Sequence, residues 1–317
     1  MLIDILMSTY NGARYLSEQI DSILNQTYKD WRLIIRDDGS SDATPEIINK
    51  YVKGFKDKIY FISDGKRHLG VQMSYFELLK HSNADYIMFC DQDDIWLPYK
   101  IEMTLKKMKD LERLCPDKPL LVHSDLKVVD ENLGVISDSF WKYQKLNPNL
   151  RNLSNLLIQN NVTGCTVMIN NKLKIFLSTF AQNMIMHDWW IALVASAFGI
   201  IDYVDQALVL YRQHNKNDTG AKRYSVGYFL GRAIKFRESI ESNKKIICQG
   251  KDFYSIYKDF LTSEQREVLY NFITLFESGR FERAFKIFKH KFFKYGILRN
   301  CGFVCVMLIS NKDDEVD

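Results

Sequence analysis

Apolar runs of strand length alternate with segments of helical period along the first 130 residues of the chain. "LIDILMST" is a short apolar run, and in the "GARYLSEQIDSILNQ" that follows, Leu16, Ile20 and Ile23 recur on one helical face. "WRLIIRDD" reads as a second strand. After it, "DGSSDATPEIINKYV" predicts a helix capped by Thr44 with Pro45 at its first position. "KIYFIS" is a third strand, "VQMSYFELLKHS" a helix and "YIMFCD" a fourth strand. Pro98 then opens a charged helix to about Leu114, and "LLVHSDLKVVD" is a long fifth strand. From about 150 to 215 the pattern is mixed: helix "LSNLLIQN", strand "VTGCTVMIN", a helix beginning near "HDWW", then "YVDQALVLYRQH". Such alternation predicts an α/β fold, a Rossmann-like mostly parallel sheet with helices on both faces. It spans residues 1–221; residues 222–317 form a helical, basic C-terminal region.

Composition narrows the class without changing that picture. With 317 residues, 46% hydrophobic and 26% charged, the chain has room for one large soluble domain or for two. Six cysteines are scattered without a CxxC pair, and "MLIDILMSTYNG" has no basic segment leading into a long apolar run. A cytosolic chain with reduced thiols is the expectation. The wholly apolar run "FVCVMLI" at 303–309, which no other run exceeds, falls far short of the roughly 18 residues a spanning helix needs. Charge is uneven: residues 222–299 carry 17 Lys/Arg against 8 Asp/Glu, while the whole chain is only +4.

Three predicted strands end in polar residues, "STYNG", "RDDGSSD" and "DQDD". In an open parallel sheet such carboxyl ends should converge on one ligand crevice. Asp91, Asp93 and Asp94 crowd the end of an apolar strand, where they repel one another unless a cation sits among them. Asp91 and Asp93, two positions apart at a turn, suit Mg²⁺ or Mn²⁺ bridging the phosphates of a nucleotide. The plainer account is a solvated loop, with Asp94 capping the next helix. "RDDGSSDAT" is explained as a strand–turn–helix connection by Gly39 and Thr44-Pro45, but the turn does not need both Asp37 and Asp38. An acid there suits ribose hydroxyls or a base N–H. Backbone amides of "STYNG" suit an anionic or polar ligand. Neither GxGxxG nor GxxxxGK[ST] occurs. In "MHDWW", Asp188 is either a helix N-cap or a base beside a sugar-stacking aromatic wall. In "YRQH", His214 is either structural or a ligand completing a metal site.

Taken in order, "STYNG", "RDDGSSDAT", "FCDQDDIWLP", "HDWW" and "YRQH" resemble the family 2 inverting glycosyltransferases of the GT-A fold. "LLVHSDLKVVD", "NVTGCTVMIN" and "LYRQHNKNDTGA" narrow the resemblance to bacterial polysaccharide rhamnosyltransferases, over about residues 1–221. The resemblance implies that Thr9, Tyr10 and Asn11 line the nucleotide pocket, with Asp38 on the pyrimidine and Asp91 near the ribose. It implies Asp93 as metal ligand with His214 as the second, Asp188 as catalytic base, and Gly164 and Trp189 near the sugars. The donor it implies is dTDP-β-L-rhamnose, the acceptor a lipid-linked saccharide of cell-wall or surface polysaccharide synthesis. Two positions depart from the family pattern: Ser74 stands where relatives commonly carry Asn, and "YRQH" replaces a motif ending in Arg-Trp.

The basic tail adds one more expectation. In "RFERAFKIFKHKFFKY", Phe281, Phe285, Phe288 and Phe292 form a stripe at i, i+4, i+7 and i+11. Arg280, Arg283, Lys286, Lys289, Lys291 and Lys294 flank it. Residues 280–295 either lie on an anionic membrane surface, the inner face of the cell membrane, or pack against the catalytic domain. A nucleotidyltransferase would bring a Gly-rich phosphate loop that "STYNGARYL" lacks. A non-catalytic nucleotide-sugar scaffold would not need both Asp93 and Asp188, and no nucleic-acid motif is present.

Overall fold

The computed structural model describes residues 1–179, 181–215, 220 and 236–310. Nine strands form one sheet: β1 Ile3–Thr9, β2 Trp31–Asp37, β3 Ile59–Ile62, β4 Tyr86–Cys90, β5 Ile95–Trp96, β6 Leu120–Val129, β7 Val135–Ser137, β8 Met168–Asn170 and β9 Ile200–Arg212. Their order is β3-β2-β1-β4-β8-β6-β9-β5, with β7 beside β6. The half from β3 to β4 is wholly parallel, as the alternating pattern predicts. β8 then runs antiparallel between β4 and β6, and β9 returns parallel to β6. The short strands β5 and β7 carry too few residues to show a period.

Eight helices accompany the sheet up to residue 198: α1 Leu16–Leu24, α2 Thr44–Gly54, α3 Gly70–Lys80, α4 Lys100–Leu114, α5 Phe140–Gln144, α6 Leu153–Ile158, α7 Asn171–Phe176 and α8 His187–Phe198. Among the described residues four more follow: α9 Phe236–Tyr257, α10 Ser263–Ile273, α11 Arg280–Lys289 and α12 Ile297–Ile309. Side chains alternate across each strand, so both faces of the sheet are apolar. Ile3, Ile5 and Met7 of β1 pack with α1, α2 and α4, while Leu6 faces α3, α6 and α8. The C-terminal helices join this second core: Trp190 of α8 meets Phe253 at 5.4 Å and Tyr257 at 6.1 Å. Among the described residues no helix is long and apolar enough to cross a membrane. The expected boundary at 221/222, and residues 216–219 and 221 of the "LYRQHNKNDTGA" motif, lie outside the described residues.

Two expected caps take other roles. α2 begins after Ala43, and the Thr44 hydroxyl donates to Asp42 while accepting from Gly12 N. α4 has Tyr99 at its N-cap, and Asp94 is fully buried instead.

Candidate active site

Parallel register sets Thr9 beside Asp37 and Met7 beside Cys90, so the polar ends of β1, β2 and β4 meet as expected. The contacts made there correct the expectation for the "STYNG" amides. Tyr10 N donates to Gln92 Oε1, Asn11 N to Ser40 Oγ, Gly12 N to Thr44 Oγ1 and Ala13 N to Asp42 Oδ2, at 2.8–3.2 Å. These amides brace the three loops against one another. Thr9 is buried and its hydroxyl donates to Asp37 Oδ1 at 2.9 Å. Asn11, at φ 48°, accepts from Ser41 N. Tyr10 alone of the three presents its side chain outward, 50% exposed, edge-on to His68 at 5.8 Å.

Asp37 and Asp38 both have structural partners. Asp37 accepts from Gly39 N, Ser40 N and Ser40 Oγ, which closes the turn. Asp38 accepts from Leu69 N, Gly70 N and the buried Arg36 Nη1 at 2.8–2.9 Å. Asp38 is buried beneath these three donors. Arg36 also donates to Asp64, to the Lys66 carbonyl and to Ser74 Oγ, so the serine at 74 completes its cage. Its guanidinium holds the Asp64 carboxyl below the usual carboxylate range. Arg36→Met should cost about 3 kcal/mol by stranding two carboxylates. Chemical denaturation checks this, and an unchanged midpoint would contradict the cage.

The three acids at the end of β4 do different things. Asp91 Oδ1 accepts from the Tyr75 hydroxyl at 2.9 Å. Asp93 Oδ2 lies 2.8 Å from His214 Nε2, and the imidazole stacks on Tyr15 with centroids 4.9 Å apart. Asp94 is fully buried, accepts from Arg212 N at 3.2 Å, and is pushed well above the usual carboxylate range by burial and by Asp93 and Asp91. Two buried cations lie close to the cluster. Buried Arg212 donates to the Asp93 carbonyl, the Glu131 carbonyl and Glu18, and lies over the Tyr15 ring at 4.5 Å. Lys100 is fully buried with Nζ 4.0 Å above the Trp96 ring, and burial pulls its pKa down to about 8.

Two donor sets suit a cation differently. One oxygen each of Asp91 and Asp94 and the Cys165 sulfur lie within 4.8 Å of one another. Burial pushes both the Cys165 thiol and the Asp94 carboxyl well up, and a soft sulfur donor suits a hard cation poorly. Asp93 and His214 are the second set, hydrogen-bonded to each other in this structure. Ligand atoms at right angles about a Mg²⁺- or Mn²⁺-sized ion stand roughly 3 Å apart, and this oxygen and nitrogen are 2.8 Å apart.

Asp188 sits in the first turn of α8 rather than at its N-cap, which is Met186. Its carboxylate accepts from Gly164 N at 2.9 Å, Trp189 N at 2.6 Å and Asn160 Nδ2 at 3.1 Å. Burial outweighs these donors and raises its pKa to about 6. Glycine at 164 is what permits the approach: a Cβ there would lie 2.8 Å from His187 Nε2. The two acidic centres are neighbours. Gly164 binds Asp188, and the next residue, Cys165, touches the Asp91–Asp94 pair, one Cα step of about 3.8 Å along the chain. Tyr75 makes a second link, its hydroxyl on Asp91 and its ring stacked on His187 at 4.1 Å. His187 is a buried wall, held neutral with its pKa near 3 by desolvation. Asp188 and Trp189 open onto a cavity of about 840 Å³ that continues along α9 and α12 past Ile246, Phe303 and Val306. Trp189 donates its indole N–H to the Leu156 carbonyl, fixing the ring at that wall.

Tyr15, Tyr75, Asn160 and Cys165 were not legible as site residues, because each contributes through a partner distant in sequence.

The sequence profile of Glycosyl transferase family 2 matches residues 4–174. A dTDP-rhamnosyl transferase, RfbG, of Shigella flexneri is 27% identical over 228 residues, 68% of this chain and 74% of the relative. A glycosyltransferase of Rickettsia typhi without assigned activity is 28% identical over 256 residues, 78% of this chain and 76% of that one. Among solved structures, S. aureus TarS 1–349 in complex with UDP-GlcNAc superposes with a TM-score of 0.53 at 15% identity, covering 97% of this chain and 90% of that one. The mannosyltransferase PcManGT of Pyrobaculum calidifontis, in complex with GDP-Man and Mn²⁺, gives 0.53 at 14%, covering 90% and 72%. These likenesses agree on the GT-A fold, and the profile covers the strand ends and the acidic cluster described above. By that match the chain belongs to glycosyl transferase family 2.

Proposed function

We propose that the chain is an inverting glycosyltransferase that moves L-rhamnose from dTDP-β-L-rhamnose to a hydroxyl of a lipid-linked saccharide. The observation that carries the reading is the junction at Gly164–Cys165, which sets the Asp188 carboxylate beside the acidic end of β4. The relative named as a dTDP-rhamnosyl transferase supports the choice of donor.

In this reading Asp188 takes the proton of the acceptor hydroxyl. The acceptor oxygen forms its bond to the anomeric carbon as the bond to the diphosphate breaks on the opposite face. One displacement inverts the centre, so a β-rhamnosyl donor gives an α-rhamnoside, and no second opposed carboxylate is required. Burial serves the base well: with a pKa near 6 Asp188 is ionised at neutral pH yet more basic than a solvated aspartate. Its three N–H donors fix the carboxylate's direction. Asp93 and His214 would hold Mg²⁺ or Mn²⁺, which when bound offsets the charge growing on the departing diphosphate. Asp38 would accept from the pyrimidine N–H, and Tyr10 offers an exposed ring near the base.

Screening dTDP-rhamnose, UDP-glucose, UDP-galactose and UDP-GlcNAc for metal-dependent nucleoside diphosphate release tests the donor. dTDP-rhamnose should turn over fastest. A clear preference for a UDP-sugar would overturn the rhamnosyl assignment and leave the transferase intact.

A further inference from the structure

Helix α11 has two opposite sides, and they are used differently. Its inner side holds Ile287, fully buried, and Arg283, whose guanidinium donates to the carbonyls of Phe276, Ser278, Met307 and Ser310. Lys286 is also turned inward, onto Thr274 Oγ1 and Ser278 Oγ. Two of the six cations expected to flank a surface stripe are therefore structural. Phe292, expected in that stripe, is fully buried against Phe272.

The outer side is apolar as well. Phe281 is 95% exposed, Phe285 64% and Phe288 61%. At about 100° per residue these three rings fall within a sector of roughly 60°, diametrically opposite the docked side. Past the helix, Ile297 is 81% exposed and Leu298 53%. Burial in the protein core thus explains none of the three rings, and they form a contiguous apolar patch rather than scattered surface residues.

Charge says what fits the patch. With the inward Arg283 and Lys286 set aside, residues 280–299 carry five Lys/Arg against one Glu; Arg280, Lys289 and Lys291 among them are exposed, Lys289 being paired with Glu267. A second copy of the chain would bring the same positive field against this one. A short helix with rings on its outer side and cations around them suits the headgroup–acyl boundary of an anionic bilayer.

We propose that Phe281, Phe285 and Phe288 dock the protein on an anionic membrane surface. Leu298, exposed at the start of the next helix, also lines the cavity that reaches Asp188. Docking therefore brings the cavity mouth to the bilayer, where an acceptor with a lipid chain would be met. That last consequence rests on the proposed role of Asp188; the docking does not.

The test is flotation of the full chain with phosphatidylcholine vesicles, with and without phosphatidylglycerol. Point variants are preferable to truncation, because Ile287, Phe292, Phe303 and Met307 belong to the core. Wild type should float only with the anionic vesicles and should be released by high salt. The triple variant Phe281→Ser, Phe285→Ser, Phe288→Ser should partition about tenfold less or weaker, with an unchanged melting temperature. Wild type that stays at the bottom with both vesicles overturns the proposal, as does a triple variant that floats equally well. So does a dimer in light scattering that the triple variant dissolves without any vesicle binding. Nucleoside diphosphate release on a soluble acceptor is the separate control. Its loss in wild type with docking intact would sink the transferase reading and leave the docking face standing.

Discussion

Asp188→Asn should lower kcat/KM by about a thousandfold or more, while the protein still folds. The change keeps the shape of the side chain and removes its ability to take a proton. Three N–H donors converge on the carboxylate, and an asparagine offers them one acceptor oxygen instead of two. That mismatch costs about 1–3 kcal/mol, and loss of the buried charge at neutral pH offsets part of it, so the net change in stability is small beside the catalytic loss. Nucleoside diphosphate release, with thermal melting alongside, separates the two effects. A variant with near wild-type turnover would remove Asp188 from the chemistry. In the wild type the raised pKa predicts a pH profile of kcat/KM that falls about tenfold per unit below roughly pH 6. The same shift opposes stability. An acid whose folded pKa exceeds its unfolded one stabilises below the unfolded value, and that contribution is lost as pH rises through about 6.

Asp93→Ala should lower metal-dependent turnover about a hundredfold or more, and His214→Ala by a smaller factor. The Asp93 side chain meets His214, whereas its backbone carbonyl is what accepts from Arg212 Nε. Removing the carboxylate therefore spares the Arg212 cage that holds the β4 end to β9. Titrating Mn²⁺ against turnover and against melting temperature reads the loss in two ways. An Asp93→Ala protein that keeps the wild-type metal response would move the ligand assignment to another carboxylate. Asp94→Ala would not answer the question, because Asp94 is fully buried and binds Arg212 N.

Much of the fold was legible because the inner strands are covered on both faces. "YIMFC" is buried at every position and announces itself as an apolar run. The convergence of the polar strand ends was legible for the same topological reason. What those ends do was less so. The amides at Tyr10, Asn11, Gly12 and Ala13 looked available to a ligand, yet their partners Gln92, Ser40, Thr44 and Asp42 lie 29 or more positions away. Arg36 hid in a strand pattern, although burial makes it the hub for Asp38, Asp64 and Ser74. The phenylalanine stripe of 281–292 gave the right face for three rings. It failed at Phe292 because the chain leaves the helix at His290 and turns that ring into the core.

The edge-on contact of Trp190 with Phe253 and its tilted contact with Tyr257 have a mechanical consequence. The helix that presents Asp188 leans its back on the C-terminal helices, so a substitution that reshapes that contact also bears on the direction of the carboxylate.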